Sequence, residues 1–373
     1  MEANEEKNIM SHIVIDAREY TSSTGRYMFR LLQYLSQLES DHNFTILLKP
    51  KDMDVYDFHN PRFKKVACSH KEFTFDEQFG LLKQINALKP DLVHFGKDHQ
   101  PVLYRGLVVT TMHDLTTARF RNIAKPWYIF KFKQLVYKQV IRAVAHKSRA
   151  ILTPTEFVKQ DMVHFSGAPE DKITVTYESA DAIPDPPESI SELEGKPYIM
   201  YVGRPTPHKN LGRLIEAFTE LKKSQPELRL VLAGKMDVLY ARHRQYVEDH
   251  AIPNVVFTDF VSEGQLRWLY EQCRAYVFPS LSEGFGLPGL EAMIHGAPVV
   301  SSNATCLPEV YGDAAHYFDP LSVPEMVRAI SDVLRDDALR SRLVAEGFKQ
   351  VQKYSWYRMA EQTLKIYNKV LGK

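Results

Sequence analysis

Residues 275–302 read AYVFPSLSEGFGLPGLEAMIHGAPVVSS, and this stretch decides the fold class of the chain. Its two ends, AYVFPS and APVVSS, are short apolar runs of the kind that forms buried β-strands. The middle predicts a helix that begins near Leu287 and Pro288, because proline is tolerated in the first turn of a helix. A strand, a helix and a second strand in succession are typical of a βαβ unit with parallel strands.

The turn between the first strand and the helix is suited to bind an anion. Gly284 and Gly286 leave backbone N–H groups free and let a ligand approach closely. The helix that follows directs the positive end of its dipole to the same place. We therefore expect the amides of Phe285, Gly286 and Leu287 to bind a diphosphate.

Two carboxylates flank this turn at E-x7-E spacing. Glu283 lies just before the predicted anion site, and Glu291 lies about one turn into the helix. One carboxylate is placed to accept hydrogen bonds from sugar hydroxyls and the other from a ribose diol. An isolated pair at this spacing is more often two solvated glutamates, but the flanking FGLPGLEAM and HGAPVVSS favour the binding site.

Length and composition limit the class of protein. A chain of 373 residues is too long for one ordinary core and predicts two domains. Its net charge of +1 does not fit a nucleic-acid-binding protein. Three widely spaced cysteines, no secretory signal and no apolar run long enough to span a bilayer indicate a cytoplasmic protein that meets a membrane, if at all, from the surface.

Strand and helix alternate along the whole chain. The first half contains the apolar runs HIVID, FTILL, DLVHF, GLVVTT and RAILTP; the second half contains PYIMYVG, RLVLAG, NVVFT, AYVFPS and APVVSS. An acidic, proline-rich stretch, residues 181–197, lies between the two series and predicts the domain linker. The pattern predicts the α/β class, with two doubly wound, Rossmann-like domains that face a cleft and bind ligands at the carboxyl ends of their strands.

The second half opens with YVGRPTPHKNLGRLIEAF, which supplies two cations at the end of a strand. Gly203 allows the turn, Arg204 and Lys209 follow it, and a helix is expected to start near Asn210. Two fixed cations at the lip of a strand–turn–helix are suited to neutralise a diphosphate leaving group, so no metal is needed. Without the Glu283–Glu291 stretch, the two would read equally well as surface cations that cap a loop.

These motifs resemble those of family 4 glycosyltransferases, the retaining enzymes of the two-Rossmann GT-B fold. The resemblance is thin in the first half, strong from Tyr198 to about Pro320, and closest to bacterial mannosyltransferases of surface-polysaccharide assembly. It implies an acceptor-binding domain at residues 1–185 and a nucleotide-sugar-binding domain at 186–354. It also implies a final helix at 355–373 that packs back on the first domain.

The resemblance implies roles for individual residues. Arg204 and Lys209 match the cations that hold the donor diphosphate, and His113, in TMHDL after a strand, matches a histidine close to the reacting sugar. A histidine after a strand is as often structural. Gly25 matches the first loop near the phosphates or the acceptor, although relatives often carry two glycines there. With Glu283, the predicted catalytic set is His113, Glu283, Arg204 and Lys209.

The implied reaction is transfer of a hexose from a GDP- or UDP-linked sugar to a glycan or lipid-linked acceptor. Mannose is the first choice for the hexose. The family is assigned a same-face mechanism in which the leaving phosphate accepts the acceptor's proton, without a metal or other cofactor. A nucleotide-sugar 2-epimerase of the same fold is an alternative; it would need acid/base carboxylates in the cleft. A non-catalytic sugar-nucleotide-binding partner is another; it would be expected to lack one of Arg204, Lys209 or Glu283.

Residues 119–149 form a basic segment without an acidic side chain. Its cations are Arg119, Arg121, Lys125, Lys131, Lys133, Lys138, Arg142, Lys147 and Arg149, and interleaved with them are Trp127, Tyr128, Phe130, Phe132 and Tyr137. Three interpretations stay open. In the first, the segment is an interfacial membrane-binding helix of a peripheral enzyme on the inner membrane face. In the second, it is a core helix whose cations are ordinary solvated side chains. In the third, its cations line the cleft and hold a phosphate-bearing acceptor.

Overall fold

The computed structural model describes residues 10–20, 25–54, 57–120 and 127–373, without the side chains of residues 127–133. By their contacts the residues divide into two units. The first unit comprises Met1–Ala118, Lys125–Glu178 and Ser355–Lys373, and the second comprises Arg119–Ala124 and Ser179–Tyr354. Each unit is an α/β domain built on a parallel sheet, as the sequence predicts.

The first unit contains a seven-stranded parallel sheet. Its strands are β1 His12–Asp16, β2 Asn43–Leu48, β3 Phe63–Ala67, β4 Leu92–Phe95, β5 Leu107–Thr111, β6 Ala150–Thr153 and β7 Ile173–Val175, in the order β3-β2-β1-β4-β5-β6-β7. Ile13, Val14 and Ile15 of β1 are fully buried, because the central strands of a parallel sheet are covered on both faces. The strand order reverses between β1 and β4.

Five α-helices connect these strands. They are α1 Gly25–Leu35, α2 Leu82–Leu88, α3 Thr116–Arg119, α4 Trp127–Lys147 and α5 Glu156–Ser166, with a π-helical turn at Glu77–Leu81 before α2. The start of α5 is fixed by Thr155, whose side chain accepts a hydrogen bond from the amide of Val158 at 3.2 Å. Thr155 is therefore the N-cap of α5.

The second unit contains a six-stranded parallel sheet. Its strands are β8 Tyr198–Val202, β9 Arg229–Ala233, β10 Val255–Asp259, β11 Ala275–Phe278, β12 Val299–Ser302 and β13 Ala315–Phe318, in the order β10-β9-β8-β11-β12-β13. The helices are α6 Leu211–Leu221, α7 Val238–Asp249, α8 Glu263–Gln272, α9 Leu287–Ile294, α10 Leu307–Tyr311, α11 Val323–Arg335 and α12 Asp337–Val351. This sheet reverses its order between β8 and β11.

The last helix, α13 Trp356–Val370, follows the second unit in the chain but belongs to the first. It packs against α1, and its apolar side buries Trp356 and Tyr367. His42 Nε2 lies 2.7 Å from Asn368 Oδ1 and ties the helix to the loop before β2. The predicted return of the final helix to the first domain is confirmed.

The boundary between the units differs from the predicted one after residue 185. The chain passes from the first unit to the second after Glu178, so the segment expected to link the domains, residues 181–197, lies within the second unit. The amide of Ile183 donates to His295 Nε2 at 3.1 Å, one of several hydrogen bonds that hold this segment. Its acidic, proline-rich composition indicated a free linker, but its backbone groups have fixed partners in the second unit.

Helix α4 carries the C-terminal part of the basic segment. Lys138 is exposed, and Leu135 and Val136 are 59% and 45% exposed. Arg121 and Lys125 lie outside the described residues, as do the side chains of residues 127–133. No helix among the described residues is both long enough and apolar enough to cross a bilayer.

Lys147 differs from the other cations of the basic segment. Its Nζ donates to the carbonyl oxygen of Pro101 at 2.6 Å and lies 5.6 Å from the centre of the Phe95 ring. Burial lowers the pKa of Lys147 to about 8. Lys147 is therefore directed into the first unit and does not belong to an exposed basic surface.

Candidate functional site

The second sheet brings two of the predicted site loops together. Because β8 and β11 are neighbours at the point where the strand order reverses, the segments that follow them leave in opposite directions and open a crevice at their carboxyl ends. Gly203, Arg204 and Lys209 follow β8, and Glu283 follows β11. The strand order thus places these four residues around one crevice.

Lys209 and Glu283 form an ion pair there. Lys209 Nζ lies 2.6 Å from Glu283 Oε1, and the two side chains are 20% and 12% exposed. A largely buried pair is screened less by water than a surface pair, and a charge-assisted hydrogen bond of this length fixes both groups. The pair offers an ammonium donor for a phosphate oxygen and a carboxylate acceptor for a sugar hydroxyl.

The position of Lys209 is set by the residue after it. Lys209 ends the 3-10 turn Pro207–Lys209, and Asn210 takes a left-handed conformation with φ +61° that asparagine tolerates. Asn210 Nδ2 donates to the carbonyl oxygens of Pro279 at 3.0 Å and Pro320 at 2.8 Å. The turn that carries Lys209 is therefore fixed to the segment that follows β11.

The backbone of Glu283 is held by the loop after β12. The amide of Glu283 donates to Thr305 Oγ1 at 3.1 Å, and Cys306 Sγ donates to the carbonyl oxygen of Glu283 at 3.3 Å. Thr305 has φ +56°, which is unusual for a β-branched residue. Thr305 and Cys306, for which the sequence predicts no role, thus hold the backbone of Glu283.

Gly203 makes the turn after β8. Its φ is +138°, which favours glycine, and its amide donates to the carbonyl oxygen of Ala233 at 3.0 Å. The hydroxyl of Tyr240 donates to the carbonyl oxygen of Gly203 at 2.8 Å. The turn is thus attached to β9 and α7, and it delivers Arg204 to the crevice.

Arg204 lies at the outer part of the site. Its side chain is 74% exposed, and Nε donates to Asp237 Oδ2 at 3.0 Å. Asp237 is the N-cap of α7, where its side chain accepts from the amides of Leu239 and Tyr240. Burial alone would raise the pKa of Asp237, but these amides and the Arg204 guanidinium lower it. Sequence reasoning missed Asp237, since 33 residues separate it from Arg204.

The predicted diphosphate site lies at the start of α9. Gly286 caps this helix with φ +100°, and an added Cβ would lie 2.8 Å from Leu307 Cδ2. The hydroxyl of Tyr311 donates to the carbonyl oxygen of Gly286 at 2.6 Å. The first amides of a helix have no partner within the helix, so binding of a diphosphate by the amides of Phe285, Gly286 and Leu287 stays a prediction for the start of this helix.

Glu291 lies in the middle of α9 and is buried. It is 7% exposed, and the hydroxyl of Tyr270 donates to its Oε2 at 3.3 Å. The ring of Tyr270 in turn stacks on His295, with 5.9 Å between the ring centres. Glu291, the residue predicted to bind the ribose, is therefore held in position by Tyr270 of α8.

His113 follows β5 in the first unit. Its Nδ1 lies 3.2 Å from Glu178 Oε1 and its Nε2 lies 3.0 Å from the carbonyl oxygen of Gly96. These two contacts hold the imidazole ring at both of its nitrogens and fix its orientation. Glu178, which follows β7, therefore orients His113.

A buried chain of polar groups lies beside His113. The ring of Tyr27 packs edge-on against His113 at 4.7 Å, and its hydroxyl lies 2.8 Å from Thr111 Oγ1. His94 links Thr111, 2.8 Å from Nε2, to the hydroxyl of Tyr367 on α13, 2.5 Å from Nδ1. Burial, together with the charge of His113, lowers the pKa of His94 to about 3.

Gly25 is the first residue of α1, and the predicted loop before it, residues 21–24, lies outside the described residues. A Cβ at Gly25 would clash with the carbonyl oxygen of Tyr20. The close approach that requires a glycine here is therefore made by the chain itself. Gly25 and His113 belong to the first unit, whereas the other predicted site residues belong to the second.

Two family models match the chain. The model of Glycosyl transferases group 1 matches residues 184–350, and the model of Glycosyltransferase Family 4 matches residues 24–182. The first range covers all the candidate site residues of the second unit. The second range covers Gly25, His113 and Glu178.

Several similar proteins are mannosyltransferases by name. The O-antigen chain mannosyltransferase B of Escherichia coli is 31% identical over 296 residues, which cover 73% of this chain and 75% of the relative. The serotype-specific mannosyltransferase WbdA of Escherichia coli is 30% identical over 254 residues, 66% of this chain. The match spans only 31% of WbdA, which is a much longer protein.

Solved structures with the same fold are similar over nearly the whole chain. The sucrose-phosphate synthase of Thermosynechococcus elongatus superposes with a TM-score of 0.78 at 17% identity, covering 97% of this chain and 99% of that one. The Anabaena protein HepE, solved in complex with UDP-glucose, has a TM-score of 0.71 at 15% identity, covering 96% and 100%. At these identities the likeness concerns the fold.

Proposed function

This chain belongs to glycosyltransferase family 4 and has the GT-B fold, and we propose that it is a retaining mannosyltransferase that uses a nucleotide-diphosphate sugar. The observation that carries the proposal is the Lys209–Glu283 pair at the reversal of the second sheet. It joins a donor for a phosphate and an acceptor for a sugar hydroxyl, beside the amides at the start of α9. No second candidate function has an observation of its own in its favour.

The chemistry follows from what these groups stabilise. In the transfer, the bond between the anomeric carbon and the β-phosphate oxygen breaks, and a bond from the acceptor oxygen to that carbon forms on the same face. The proton of the acceptor hydroxyl passes to the leaving phosphate. Lys209, Arg204 and the amides of Phe285, Gly286 and Leu287 stabilise the negative charge that develops on that phosphate.

The ion pair gives Lys209 and Glu283 a role before the donor binds. Paired at 2.6 Å, the two side chains hold each other at the crevice. When the diphosphate arrives, Lys209 turns toward its oxygens, and Glu283 becomes available to a hydroxyl of the transferred hexose. A preorganised charge of this kind costs little rearrangement at the moment of reaction.

The donor that we propose is GDP-mannose, with a UDP-hexose as the second choice. Two relatives with 31% and 30% identity are mannosyltransferases by name, which favours mannose. Since Arg204, Lys209 and helix-end amides neutralise the diphosphate, we propose that the reaction requires no metal ion. The acceptor is a glycan or a lipid-linked glycan.

The proposed location is the cytoplasmic face of a membrane. On α4, Leu135 and Val136 are exposed next to the exposed cation Lys138, which is the composition of an interfacial contact. Ile141 and Val144 of the same helix are buried and hold it on the first unit. A peripheral enzyme at this surface would meet a lipid-linked acceptor directly.

A thermal-shift and hydrolysis screen across GDP-, UDP- and ADP-linked sugars tests the proposal. A ligand that binds the folded state raises the melting temperature in proportion to the logarithm of its concentration over Kd. We expect GDP and GDP-mannose to stabilise the protein and GDP-mannose to be slowly hydrolysed. Stabilisation by UDP compounds alone would refute GDP-mannose as the donor. If none of the nucleotides stabilises the protein, the proposed function is refuted.

A further inference from the structure

A groove of about 830 Å³ crosses the second sheet at the edge opposite to the crevice of the Lys209–Glu283 pair. Residues that precede three neighbouring strands line it: Pro197 before β8, Arg274 before β11 and Pro298 before β12. In a parallel sheet these residues lie at the amino ends of the strands, whereas Lys209 and Glu283 follow the carboxyl ends. This groove, the amino-end groove, is therefore separate from the candidate donor site.

Helix α12 contributes an apolar stripe to the amino-end groove. Val344, Ala345 and Phe348 line it. Phe348 follows Val344 by four residues and Ala345 by three, so the three side chains share one face of the helix. The same helix buries Leu343 and Gly347, whereas Phe348 is 44% exposed. Helix α12 thus presents apolar surface to the groove in addition to the surface that it buries in the unit.

The position of Phe348 is set by a close approach of α12 to α9. A Cβ at Gly347 would lie only 3.1 Å from Cγ of Met293, so the glycine lets the two helices touch. Just beyond this contact, the ring of Phe348 lies over the end of α9, where its Cζ would be 3.4 Å from a Cβ at Gly296. The aromatic wall of the groove is therefore fixed by helix packing.

A second aromatic side chain, Trp268 of α8, also lines the groove. Trp268 is half-buried and stacks on the fully buried Tyr198, with 6.2 Å between the ring centres. The hydroxyl of Tyr198 donates to the carbonyl oxygen of Leu269 at 2.9 Å, which holds this pair in place. The thiol of Cys273 donates to the carbonyl oxygen of Tyr270 at 3.3 Å, and burial raises its pKa. Cys273 therefore adds apolar surface to the groove and no charge.

The charged residues of the groove leave an excess of positive charge. Three cations line it, Lys196, Arg274 and Arg340, together with one carboxylate, Glu271. The carboxylate is already neutralised by Arg267, whose Nε donates to Glu271 Oε1 at 2.7 Å. The groove is therefore suited to a ligand with negative charge.

The three cations differ in how they are held. Arg340 pairs with Asp337, and Lys196 Nζ donates to the carbonyl oxygen of Glu192 at 3.0 Å. Arg274 is exposed, and in the part of the chain that the structure describes its guanidinium has no hydrogen-bond or ion-pair partner. Arg274 is thus the cation that a ligand meets without first displacing a protein group.

We propose that the amino-end groove binds a small amphipathic anion, with a flat apolar body and one carboxylate, sulfonate or phosphate group. The apolar body packs on Trp268 and Phe348, and the anionic group accepts hydrogen bonds from Arg274. Small-molecule sites measure about 300–1,000 Å³ and combine apolar and aromatic walls with a few charged groups, as this groove does. The inference goes beyond the proposed function and does not depend on it, because the groove lies at the other edge of the sheet.

Fluorescence titration of the full chain with anilinonaphthalene sulfonate, a flat apolar anion, tests the site. We expect saturable binding to a single class of site. Three naphthyl compounds with the same ring and different charge should then displace the dye unequally. Naphthalene sulfonate should compete about tenfold or more better than naphthylmethylammonium, with the neutral naphthylmethanol between them, because the anion gains a charge-assisted hydrogen bond.

Variants of the two walls locate the dye. Arg274→Gln should weaken its binding about tenfold, and Arg274→Lys should keep most of the affinity because the charge remains. Arg342→Gln is the matched control, since Arg342 is exposed on α12 and does not line the groove. Phe348→Ser should weaken binding several-fold through the loss of apolar contact area. Its control is Phe260→Ser, since Phe260 is 81% exposed in the same unit and lies outside the groove.

Melting temperatures without the dye should match wild type in all these variants, because the substituted side chains are exposed. Arg204→Ala, at the opposite edge of the sheet, should bind the dye like wild type. No saturable binding, equal displacement by the three naphthyl compounds, or wild-type affinity in Arg274→Gln or Phe348→Ser would overturn the proposal. So would an equal loss of affinity in the matched controls or in Arg204→Ala, because the dye would then be bound elsewhere.

Discussion

Lys209 Nζ lies 2.6 Å from Glu283 Oε1, although 74 residues separate the two in the chain. They meet because β8 and β11 are neighbours in the second sheet, and each residue follows one of these strands. Asn210 then fixes the first loop to the second by two hydrogen bonds. The pair is a product of the strand order and of local turn chemistry together.

Removal of either cation should abolish most of the turnover. We expect Lys209→Ala and Arg204→Ala each to lower kcat by a factor of about 10²–10³, the cost of one preorganised electrostatic contact in a transition state. Folding should change little in Arg204→Ala, since Arg204 is 74% exposed, and more in Lys209→Ala, since Lys209 is 20% exposed and its loss leaves the Glu283 carboxylate without this partner. Steady-state kinetics with GDP-mannose would measure the effect.

Lys223→Ala is the control for these variants. Lys223 follows α6, is 70% exposed and pairs with Glu220 of that helix. It is not one of the predicted site residues, so its loss should leave kcat unchanged. Wild-type turnover in both Lys209→Ala and Arg204→Ala would remove the diphosphate site from this location.

Chelation of metal ions should not stop the transfer. The diphosphate charge is neutralised by Arg204, Lys209 and the first amides of α9, so EDTA-treated enzyme is expected to keep its rate. The assay compares untreated enzyme, EDTA-treated enzyme, and treated enzyme after addition of Mg²⁺ or Mn²⁺. A rate that is lost with EDTA and returns with either ion would contradict the mechanism.

Acid should destabilise the fold through His94. The folded state keeps His94 neutral down to a pKa of about 3, whereas the unfolded chain takes up the proton near pH 6.5. The unfolded state therefore binds more protons in between, and the stabilisation present above pH 6.5 is lost as the pH falls toward 3. The slope from this group is at most about 1.4 kcal/mol per pH unit.

Denaturant unfolding at pH 7.5, 6 and 5 measures this dependence. His94→Gln should flatten it while lowering stability at every pH, because the bonds to Thr111 and Tyr367 change. His59→Gln is the control, since that side chain is 84% exposed. A His94→Gln variant with the wild-type pH dependence would show that other groups cause it.

Membrane association is expected to depend on α4. Co-sedimentation with anionic liposomes should be measurable at low salt and decline as salt is added. Lys138→Glu and Leu135→Asp should each reduce it several-fold, because one adds charge repulsion and the other removes buried apolar area. Lys223→Glu on the second unit should bind like wild type. Failure of the wild type to bind at low salt would refute the membrane contact and leave the donor site untouched.

The strands that the sequence revealed are the central ones of both sheets and one edge strand, β10. HIVID and PYIMYVG are continuous apolar runs because parallel strands in the middle of a sheet are buried on both faces. The analysis missed β3, whose sequence FKKVA contains two lysines, and the short edge strands β7 and β13. The three missed strands are edge strands that are short or half-exposed, so neither alternation nor a long apolar run marks them.

The site was predictable where its chemistry is local. Gly286 and the start of α9 follow from glycine and proline positions, and the structure has them where the sequence places them. The partners were not predictable, since Asp237 and Glu178 lie 33 and 65 residues from Arg204 and His113. A carboxylate on a distant loop carries no local signal of the cation it will meet.

The position of α13 has a consequence for the folding of the protein during its synthesis on the ribosome. The first unit needs this helix to cover α1 and to supply the Tyr367 hydroxyl to His94, yet α13 is translated after the whole of Ser179–Tyr354. At about 5–20 residues per second, the ribosome takes on the order of ten seconds or more to produce that segment. Throughout that interval the nascent first sheet has an open apolar flank, so we expect a chaperone to occupy it until the last helix emerges.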